Sequence, residues 1–182
     1  DGAPIDSWGI GTHLVTGGNQ AALGGVYKLS AKEENGVYIP TLKISSSYEK
    51  TTNPGIKQVY RFFDKNGQAL ADLVALNDER IETGVNHIFF HPFSTQDMFV
   101  MRKNSYAEIR PLLKKQMENG KRINPSPSLK EIQQNSLELL SHFDKSYKRQ
   151  VNPHIYKVSL STKLKNLKGD LIMQAKMAED KI

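Results

Sequence analysis

The sequence predicts an α+β chain, in which a strand with a glycine loop comes first, a β-rich stretch follows, and helices occupy the C-terminal part. Three observations predict this order. A short strand-like run ends in two closely spaced glycines, Gly9 and Gly11. Asn-Gly pairs at 35–36 and 66–67 stand between apolar runs, as in type I′ hairpin turns. Apolar residues at helical spacing then recur toward the C-terminus.

Three segments follow from these patterns. We expect residues 1–23 to form the end of a sheet or barrel, residues 24–103 a β-rich segment, and residues 104–182 a helical segment. The run at Ile5–Trp8 has no strand before it, although a strand needs a neighbour to satisfy its backbone N–H and C=O groups. We therefore expect residues 1–16 to join strands outside this chain. The alternative is that they pair with later strands of the same chain.

Two hairpins dominate the predicted β-rich segment. Their turns are Asn-Gly pairs, because both residue types tolerate positive φ. Pro40 indicates an edge or a bulge in the first hairpin, and a polar loop over residues 45–55 separates the two. The predicted strands are residues 25–29, 37–39, 41–44, 58–63, 69–76, 89–90 and 98–101.

Three helices are predicted in the last segment. The first has a kink at Pro111 and a C-cap at Gly120, and the second begins at a capping box of Ser128 and Glu131. Their apolar faces follow helical spacing. Those faces are Tyr106, Ile109, Leu113 and Met117 in the first helix, Leu129, Ile132, Leu137, Leu140 and Phe143 in the second, and Leu160, Leu164, Leu167, Leu171, Ala175 and Ala178 in the last.

The composition excludes several classes of protein. The 182 residues include no cysteine, so disulfides and thiolate metal sites are excluded, and a reducing cytoplasm is the expected compartment. No apolar run approaches the roughly 20 residues that a membrane span needs. The formal net charge of +6 favours anionic partners, which are either nucleic acid or phosphorylated small molecules.

The run from Asp6 to Thr12 is the strongest local signal of chemistry. Glycines at a strand end let backbone N–H groups approach an anion without interference from Cβ atoms, and a following helical turn adds partial positive charge. Thr12 can add a hydroxyl donor, and His13 adjoins the loop. Ordinary tight turns also use glycine, so the pattern alone leaves a purely structural turn open.

Three segments in order resemble the C-terminal region of nicotinate phosphoribosyltransferases. They are Asp6 to Thr12, then Ala22 to Leu29, then Glu49 to Arg61, which carry a Gly-x-Gly-Thr strand end, an Ala-Leu-Gly-Gly-Val-Tyr-Lys run and a Lys-x-x-x-Pro-Gly-x-Lys loop. Asn124 to Ile132 and Pro153 to Leu164 also look similar. The resemblance covers nearly the whole chain and is specific as an ordered set.

The resemblance implies the last part of a type II phosphoribosyltransferase, whose core is an irregular α/β barrel. That family joins nicotinate to 5-phosphoribosyl diphosphate in NAD synthesis and couples the step to ATP hydrolysis. Its members are longer than this chain, and their phosphorylated histidine and ring-binding motifs match no segment here. We therefore expect a missing N-terminal part, a homodimer, no membrane or nucleic-acid partner, and no activity from this chain alone. Magnesium is expected to arrive with the diphosphate.

The resemblance also assigns individual residues. Gly9, Gly11 and Thr12 match the loop that holds the ribose 5-phosphate, and we add His13 beside it. The related nicotinamide enzymes have further glycines where this chain has Thr12 and His13, so side-chain contacts there are expected to differ. Lys28 and Lys50 match two lysines that bind the diphosphate, the first of them across the dimer interface. Lysine suits this role as a compact point charge.

The remaining candidates favour structural roles. His87 and His91 are four residues apart, but Pro92 argues against a helical metal pair, and we predict no metal-ligating residue. Asp6 is expected to hydrogen bond structurally, and His142 and His154 are expected on or near helical surface.

Two kinds of rival function remain open. One is a nicotinamide- or quinolinate-specific enzyme. The other is a nucleic-acid-binding module that uses the basic helices over 145–181, whose binding would fall steeply with salt.

Overall fold

The computed structural model describes residues 4–9, 11–17, 27–45, 50–94 and 96–179. Its first sheet is the predicted hairpin, in which β1 (Ala31–Glu34) pairs antiparallel with β2 (Val37–Pro40). The turn residues Asn35 and Gly36 have φ of 52° and 79°, so the predicted Asn-Gly turn is confirmed. The predicted strand over residues 25–29 is not found in its described part, because residues 27–30 belong to no strand.

The second predicted hairpin is also confirmed as part of the main sheet, but its turn is not type I′, because Gly67 has positive φ and Asn66 does not. Strand β3 (Lys57–Phe63) pairs antiparallel with β4 (Ala69–Leu76), and the register shifts between Phe62 and Phe63. The two short strands predicted at 89–90 and 98–101 lie in β5 (His87–Phe90) and β6 (Met98–Met101), which pair with each other.

The main sheet has six strands in the order β6-β5-β10-β4-β3-β7, where β7 is Glu108–Pro111 and β10 is Val158–Leu160. Strand β10 runs parallel to β4 and antiparallel to β5, so the sheet is mixed. A further pair, β8 (Met117–Glu118) and β9 (Lys121–Arg122), forms a separate small hairpin. The fold is therefore mixed α/β, and the described residues do not test the predicted barrel.

The prediction of a first helix in the C-terminal segment is wrong. Strand β7 occupies its centre and pairs with β3, with Pro111 opposite Tyr60. Pro111 is tolerated because β7 is an edge strand, which need not donate every N–H to a neighbour. Gly120, expected as a helix C-cap, instead completes an Asn-Gly turn between β8 and β9 with φ of 73°. The division at residues 23 and 103 stays a prediction, although β7 to β10 all lie beyond residue 103.

The other two helices are confirmed, except that Leu160, predicted in the last helix, lies in β10. Helix α2 (Leu129–Ser141) begins at a complete capping box: Ser128 accepts from the N–H of Glu131, and the Glu131 carboxylate accepts from the N–H of Ser128. No residue of α2 is buried, so its apolar face packs against nothing in the described part of the chain. Helix α3 (Thr162–Glu179) contacts β4 and β5, and it buries Leu164 completely.

The core lies on one face of the main sheet. It consists of Phe62, Ala71, Leu73, Phe89, Met101 and Tyr106. The ring of Phe62 meets those of Phe89 and Tyr106 edge to face at centroid distances of 5.1 and 5.0 Å, the arrangement that aromatic quadrupoles prefer. The Tyr106 hydroxyl donates to the backbone oxygen of Val85 at 2.7 Å, so its polar end is satisfied.

Candidate functional site

The run from Asp6 to Thr12, called here the glycine segment, leads into a short helix. Helix α1 (Thr12–Thr16) starts directly after Gly11, and the N–H of Leu14 donates to the Gly11 oxygen at 3.0 Å. This confirms the helical turn predicted after the glycines. His13 lies in α1, but its side chain is outside the described part of the structure. The predicted strand at residues 5–8 is not found, since residues 4–9 form no strand. Strand geometry requires a partner, and no later strand in the described residues supplies one.

Neither Gly9 nor Gly11 is required by the surroundings that the structure describes. A Cβ atom added at either position would meet nothing within 4 Å. Neither residue has the positive φ that favours glycine. A need for glycine here would therefore come from something that approaches the backbone from outside these residues.

Lys28 and Lys50 are brought together. The Lys28 ammonium donates to the backbone oxygen of Lys50, which is 22 residues further along the chain, and both lysines are exposed. The backbone next to Lys28 is tied to the same region, because the Ser30 oxygen accepts from the N–H groups of Thr41 at 2.9 Å and Gly55 at 2.7 Å. No hydrogen bond of the described residues joins either lysine to the glycine segment.

Residues 50–55 are called here the Lys50 loop. Burial and hydrogen bonds anchor this loop to the rest of the protein. Its residues Thr51 and Pro54 are buried. The Asn53 side-chain oxygen accepts from the Lys168 ammonium at 2.9 Å, and the Gly55 oxygen accepts from the Lys57 ammonium at 2.5 Å. Sequence patterns contain no sign of the Lys168 contact, because its partners are 115 residues apart.

The charges in this region favour an anion. The hydrogen bonds of Lys28 and Lys57 described above end on backbone oxygens, which are neutral, so these bonds do not cancel the positive charge. An ammonium has three N–H donors, and within the described residues Lys28 uses one of them on the Lys50 oxygen, which leaves two for a ligand. Burial lowers the pKa of Lys57 and of Lys168, since a low-dielectric surrounding disfavours the charged form.

Three of the four other histidines form hydrogen bonds through their rings to the protein itself. His87 and His142 bond to the backbone oxygens of Glu82 and Gly67 at 2.7 and 2.8 Å, and the His91 ring accepts from the N–H of Phe93 at 3.2 Å. These contacts are consistent with the predicted structural roles. Within the described residues, no group of three His, Cys, Asp or Glu side chains could hold a metal ion.

An apolar cavity of about 470 Å³ lies beside β5, β6 and β10. Its lining includes Phe89, Phe99 and Leu160, and none of the predicted site residues lines it. Asn53 reaches its rim, so the cavity and the Lys50 loop share one residue.

Comparison with known proteins identifies the family. The model of the nicotinate phosphoribosyltransferase C-terminal domain matches residues 56–168. The chain belongs to the nicotinate phosphoribosyltransferase family. A Bacillus subtilis nicotinate phosphoribosyltransferase is 41% identical over 88% of this chain and 32% of its own length, and the human one is 32% identical over 94% and 30%. The chain thus spans about a third of the length of these curated relatives.

Family membership agrees with the fold. A crystal structure of human nicotinic acid phosphoribosyltransferase matches with a TM-score of 0.58 at 28% identity, covering 66% of this chain and 24% of that one. The family model matches the main sheet and the beginning of α3, up to residue 168, and the candidate site residues precede its range. Among the described residues, no helix is long and apolar enough to cross a membrane.

Proposed function

We propose that this chain is the C-terminal part of an enzyme that joins nicotinate to 5-phosphoribosyl diphosphate, with ATP hydrolysis, to make nicotinate mononucleotide and pyrophosphate for NAD synthesis. The observation that carries the proposal is the hydrogen bond from the Lys28 ammonium to the Lys50 backbone. Sequence resemblance assigns these two lysines to the diphosphate, and they lie together in one region whose segments are joined by hydrogen bonds. Family membership supplies the reaction, and the relatives named nicotinate phosphoribosyltransferase support it.

The share of this chain in the reaction is electrostatic. As the bond between ribose and diphosphate breaks, negative charge grows on the leaving diphosphate. Fixed cations near that charge stabilise the transition state more than the ground state. Lys28 and Lys50 supply two such cations, and a hydrogen bond from either one to the charged diphosphate contributes about 1.5–3 kcal/mol. Gly9, Gly11, Thr12 and His13 bind the ribose 5-phosphate at the other end of the substrate.

Magnesium and ATP have no assigned residues in this chain. The described residues include no cluster of carboxylates or imidazoles suited to a cation, and the charged side chains bonded to the Lys50 loop include Lys28, Lys57 and Lys168. Magnesium usually binds through substrate phosphates and few protein ligands, so it would come to the site with the diphosphate.

The complete enzyme has further parts in this proposal. An N-terminal part supplies the rest of an α/β barrel, the ring-binding residues and the phosphorylated histidine. Two copies form a homodimer, and the enzyme works in the cytoplasm. Residues 1–16 join the barrel, which fits the exposed apolar side chains of Ile5, Trp8 and Leu14.

The test is steady-state kinetics of the full-length enzyme. Lys28→Ala and Lys50→Ala should each lower kcat/KM for 5-phosphoribosyl diphosphate about tenfold or more, with a fall in kcat as well as a rise in KM, as expected for the loss of a charged hydrogen bond that strengthens in the transition state. The KM for nicotinate should change much less. Lys65→Ala is the matched control, since Lys65 is exposed in the turn between β3 and β4.

The same assay separates the rivals. If the enzyme makes product from nicotinamide or quinolinate but not from nicotinate, that base takes the place of nicotinate in the proposal. If the unaltered enzyme forms no product with any of the three bases, the proposal is wrong. Binding to DNA or RNA that weakens linearly with the logarithm of salt concentration would then favour a nucleic-acid-binding module.

A further inference from the structure

Lys168 is an unusual residue for the interior of this protein. It lies on α3, is only 1% exposed, and donates from its ammonium to the Asn53 side-chain oxygen at 2.9 Å. Lysine is almost never fully buried unless its charge is matched by polar partners. The cost of removing an ammonium from water is large, so the oxygen atoms around it must be held in place.

The Lys50 loop supplies such an oxygen. Asn53 lies three residues after Lys50, and the loop between them contains the buried Thr51. If the loop moved away, the Lys168 ammonium would lose its bond to Asn53, and its charge would need another polar partner in place of the Asn53 oxygen. The ammonium therefore favours one conformation of the loop over others.

Further contacts join the Lys50 loop to α3. Gly55 adopts φ of +81°, and its missing Cβ would lie 2.7 Å from Leu76 and 3.7 Å from Leu167, the residue before Lys168. At the outer end of the loop, Lys28 bonds to the backbone of Lys50. A path of contacts thus runs from the buried Lys168 through the loop to both exposed lysines.

We propose that Lys168 is a positioning residue for diphosphate binding: its buried ammonium holds Asn53, and thereby fixes the Lys50 loop on which Lys50 and Lys28 meet. This inference rests on the proposed function. Lys168 itself does not touch the substrate, because a side chain that is 1% exposed cannot contact a diphosphate that arrives from solvent. Its effect reaches the substrate only through the loop.

The test uses two substitutions in the full-length enzyme. Lys168→Met keeps the length of the side chain and its helix propensity but removes the ammonium. Asn53→Leu keeps the approximate size but removes the acceptor. Each should raise the KM for 5-phosphoribosyl diphosphate about tenfold, the size of one lost hydrogen bond to a charged group. The KM for nicotinate should stay within about twofold, because only diphosphate contacts are displaced.

A double variant, a control variant and melting temperatures separate positioning from general stability. The double variant should be no worse than the worse single variant, because both substitutions break the same bond. Lys176→Met is the control, since Lys176 is exposed on the same helix. The melting temperature of every variant is measured alongside the kinetics. If Lys168→Met does not fold, Asn53→Leu decides alone.

Each outcome supports or overturns the inference. A selective rise in the KM for 5-phosphoribosyl diphosphate, without a matching loss of melting temperature, supports it. Unchanged KM values in folded variants would overturn it while leaving the proposed function intact. A rise in both KM values together with a fall in melting temperature would also overturn it, because the role of Lys168 would then be structural. Failure of the unaltered enzyme to form product would overturn the proposed function and this inference together.

Discussion

At the scale of single residues, one buried ion pair dominates the main sheet. Arg61 donates two hydrogen bonds of 2.8 Å to the Asp72 carboxylate, and the Tyr156 hydroxyl donates to the same carboxylate at 2.9 Å. The bond to Asp72 raises the pKa of Arg61, and burial with the nearby Asp72 charge raises the pKa of Tyr156. The Arg61 guanidinium also lies 4.8 Å from the centre of the Phe143 ring. Arg61 therefore joins the sheet to the segment that follows α2.

Removing one partner of this pair should be costly. Asp72→Ala leaves the Arg61 charge buried without its carboxylate, and we expect it to lower the free energy of unfolding by about 3–5 kcal/mol. Asp78→Ala is the matched control, because Asp78 pairs with Lys163 at an exposed site, where ion pairs contribute little. Urea titration of both variants makes the comparison. Equal midpoints would mean that the Arg61 charge finds another partner.

Gly11→Val tests the predicted phosphate loop. Among the described residues a Cβ at position 11 meets nothing within 4 Å, and Gly11 does not have positive φ. The melting temperature of the full-length variant is measured beside its kinetics, because residues 1–16 are proposed to join the rest of the barrel. We expect a higher KM for 5-phosphoribosyl diphosphate in the full-length enzyme, with nicotinate affected less. Unchanged kinetics would leave the segment as an ordinary turn.

At the scale of elements, local turn chemistry is the most informative part of the sequence. The Asn-Gly pair at 35–36 predicts its hairpin because both residues must adopt positive φ. The same pair recurs at Asn119 and Gly120, where the sequence pattern wrongly predicts a helix end. The error comes from the apolar spacing upstream of it. Leu113 and Met117 are exposed, so that spacing does not reflect a buried helical face.

Two glycines in the same backbone region separate the effect of φ from that of packing. Gly36 and Gly55 have φ of +79° and +81°, but only at Gly55 would an added Cβ atom come within 3 Å of a neighbour, which is Leu76. Gly36→Ala should cost about 1 kcal/mol, the penalty of the left-handed region. Gly55→Ala should cost more and should also raise the KM for 5-phosphoribosyl diphosphate, since it displaces the Lys50 loop. Equal losses of stability, with no change in KM, would contradict this account.

At the scale of the whole molecule, the sequence selects candidate site residues but not the contacts that support them. The ordered resemblance selects Lys28 and Lys50, and the structure joins them. Nothing local points to Lys168, because its bond to Asn53 spans 115 residues and a lysine on a helix usually faces solvent. The apolar face of α2 is predicted correctly as a pattern. It stays exposed here, since a pattern does not identify the surface that covers it.

The isolated 182 residues should make no nicotinate mononucleotide. They carry neither the phosphorylated histidine nor the ring-binding motifs that the family resemblance requires. The measurement is product formation from nicotinate, 5-phosphoribosyl diphosphate and ATP by the purified chain, with the full-length enzyme as the positive control. Turnover by the chain alone that ATP stimulates would show that it holds a complete site.

The bond between Lys28 and Lys50 constrains how a dimer can work. Both lysines belong to one unit of one chain, so they should serve the same active site, whichever subunit provides the rest of it. The resemblance implies that Lys28 reaches the partner's site. Lys50 should then reach it too, while the glycine loop at Gly11 serves its own subunit.

Mixing variants of the full-length enzyme tests this arrangement, at a concentration of 5-phosphoribosyl diphosphate far below KM, where each variant alone has little activity. Gly11→Val mixed with Lys28→Ala should recover about one quarter of the normal activity, because about half of the dimers are mixed and each has one undamaged site of its two. Lys28→Ala mixed with Lys50→Ala should recover none, since each mixed dimer then carries a damaged lysine pair in both sites. Recovery by that second mixture would separate the two lysines. Failure of the first mixture, with subunit exchange demonstrated, would assign Lys28 to the site of its own subunit.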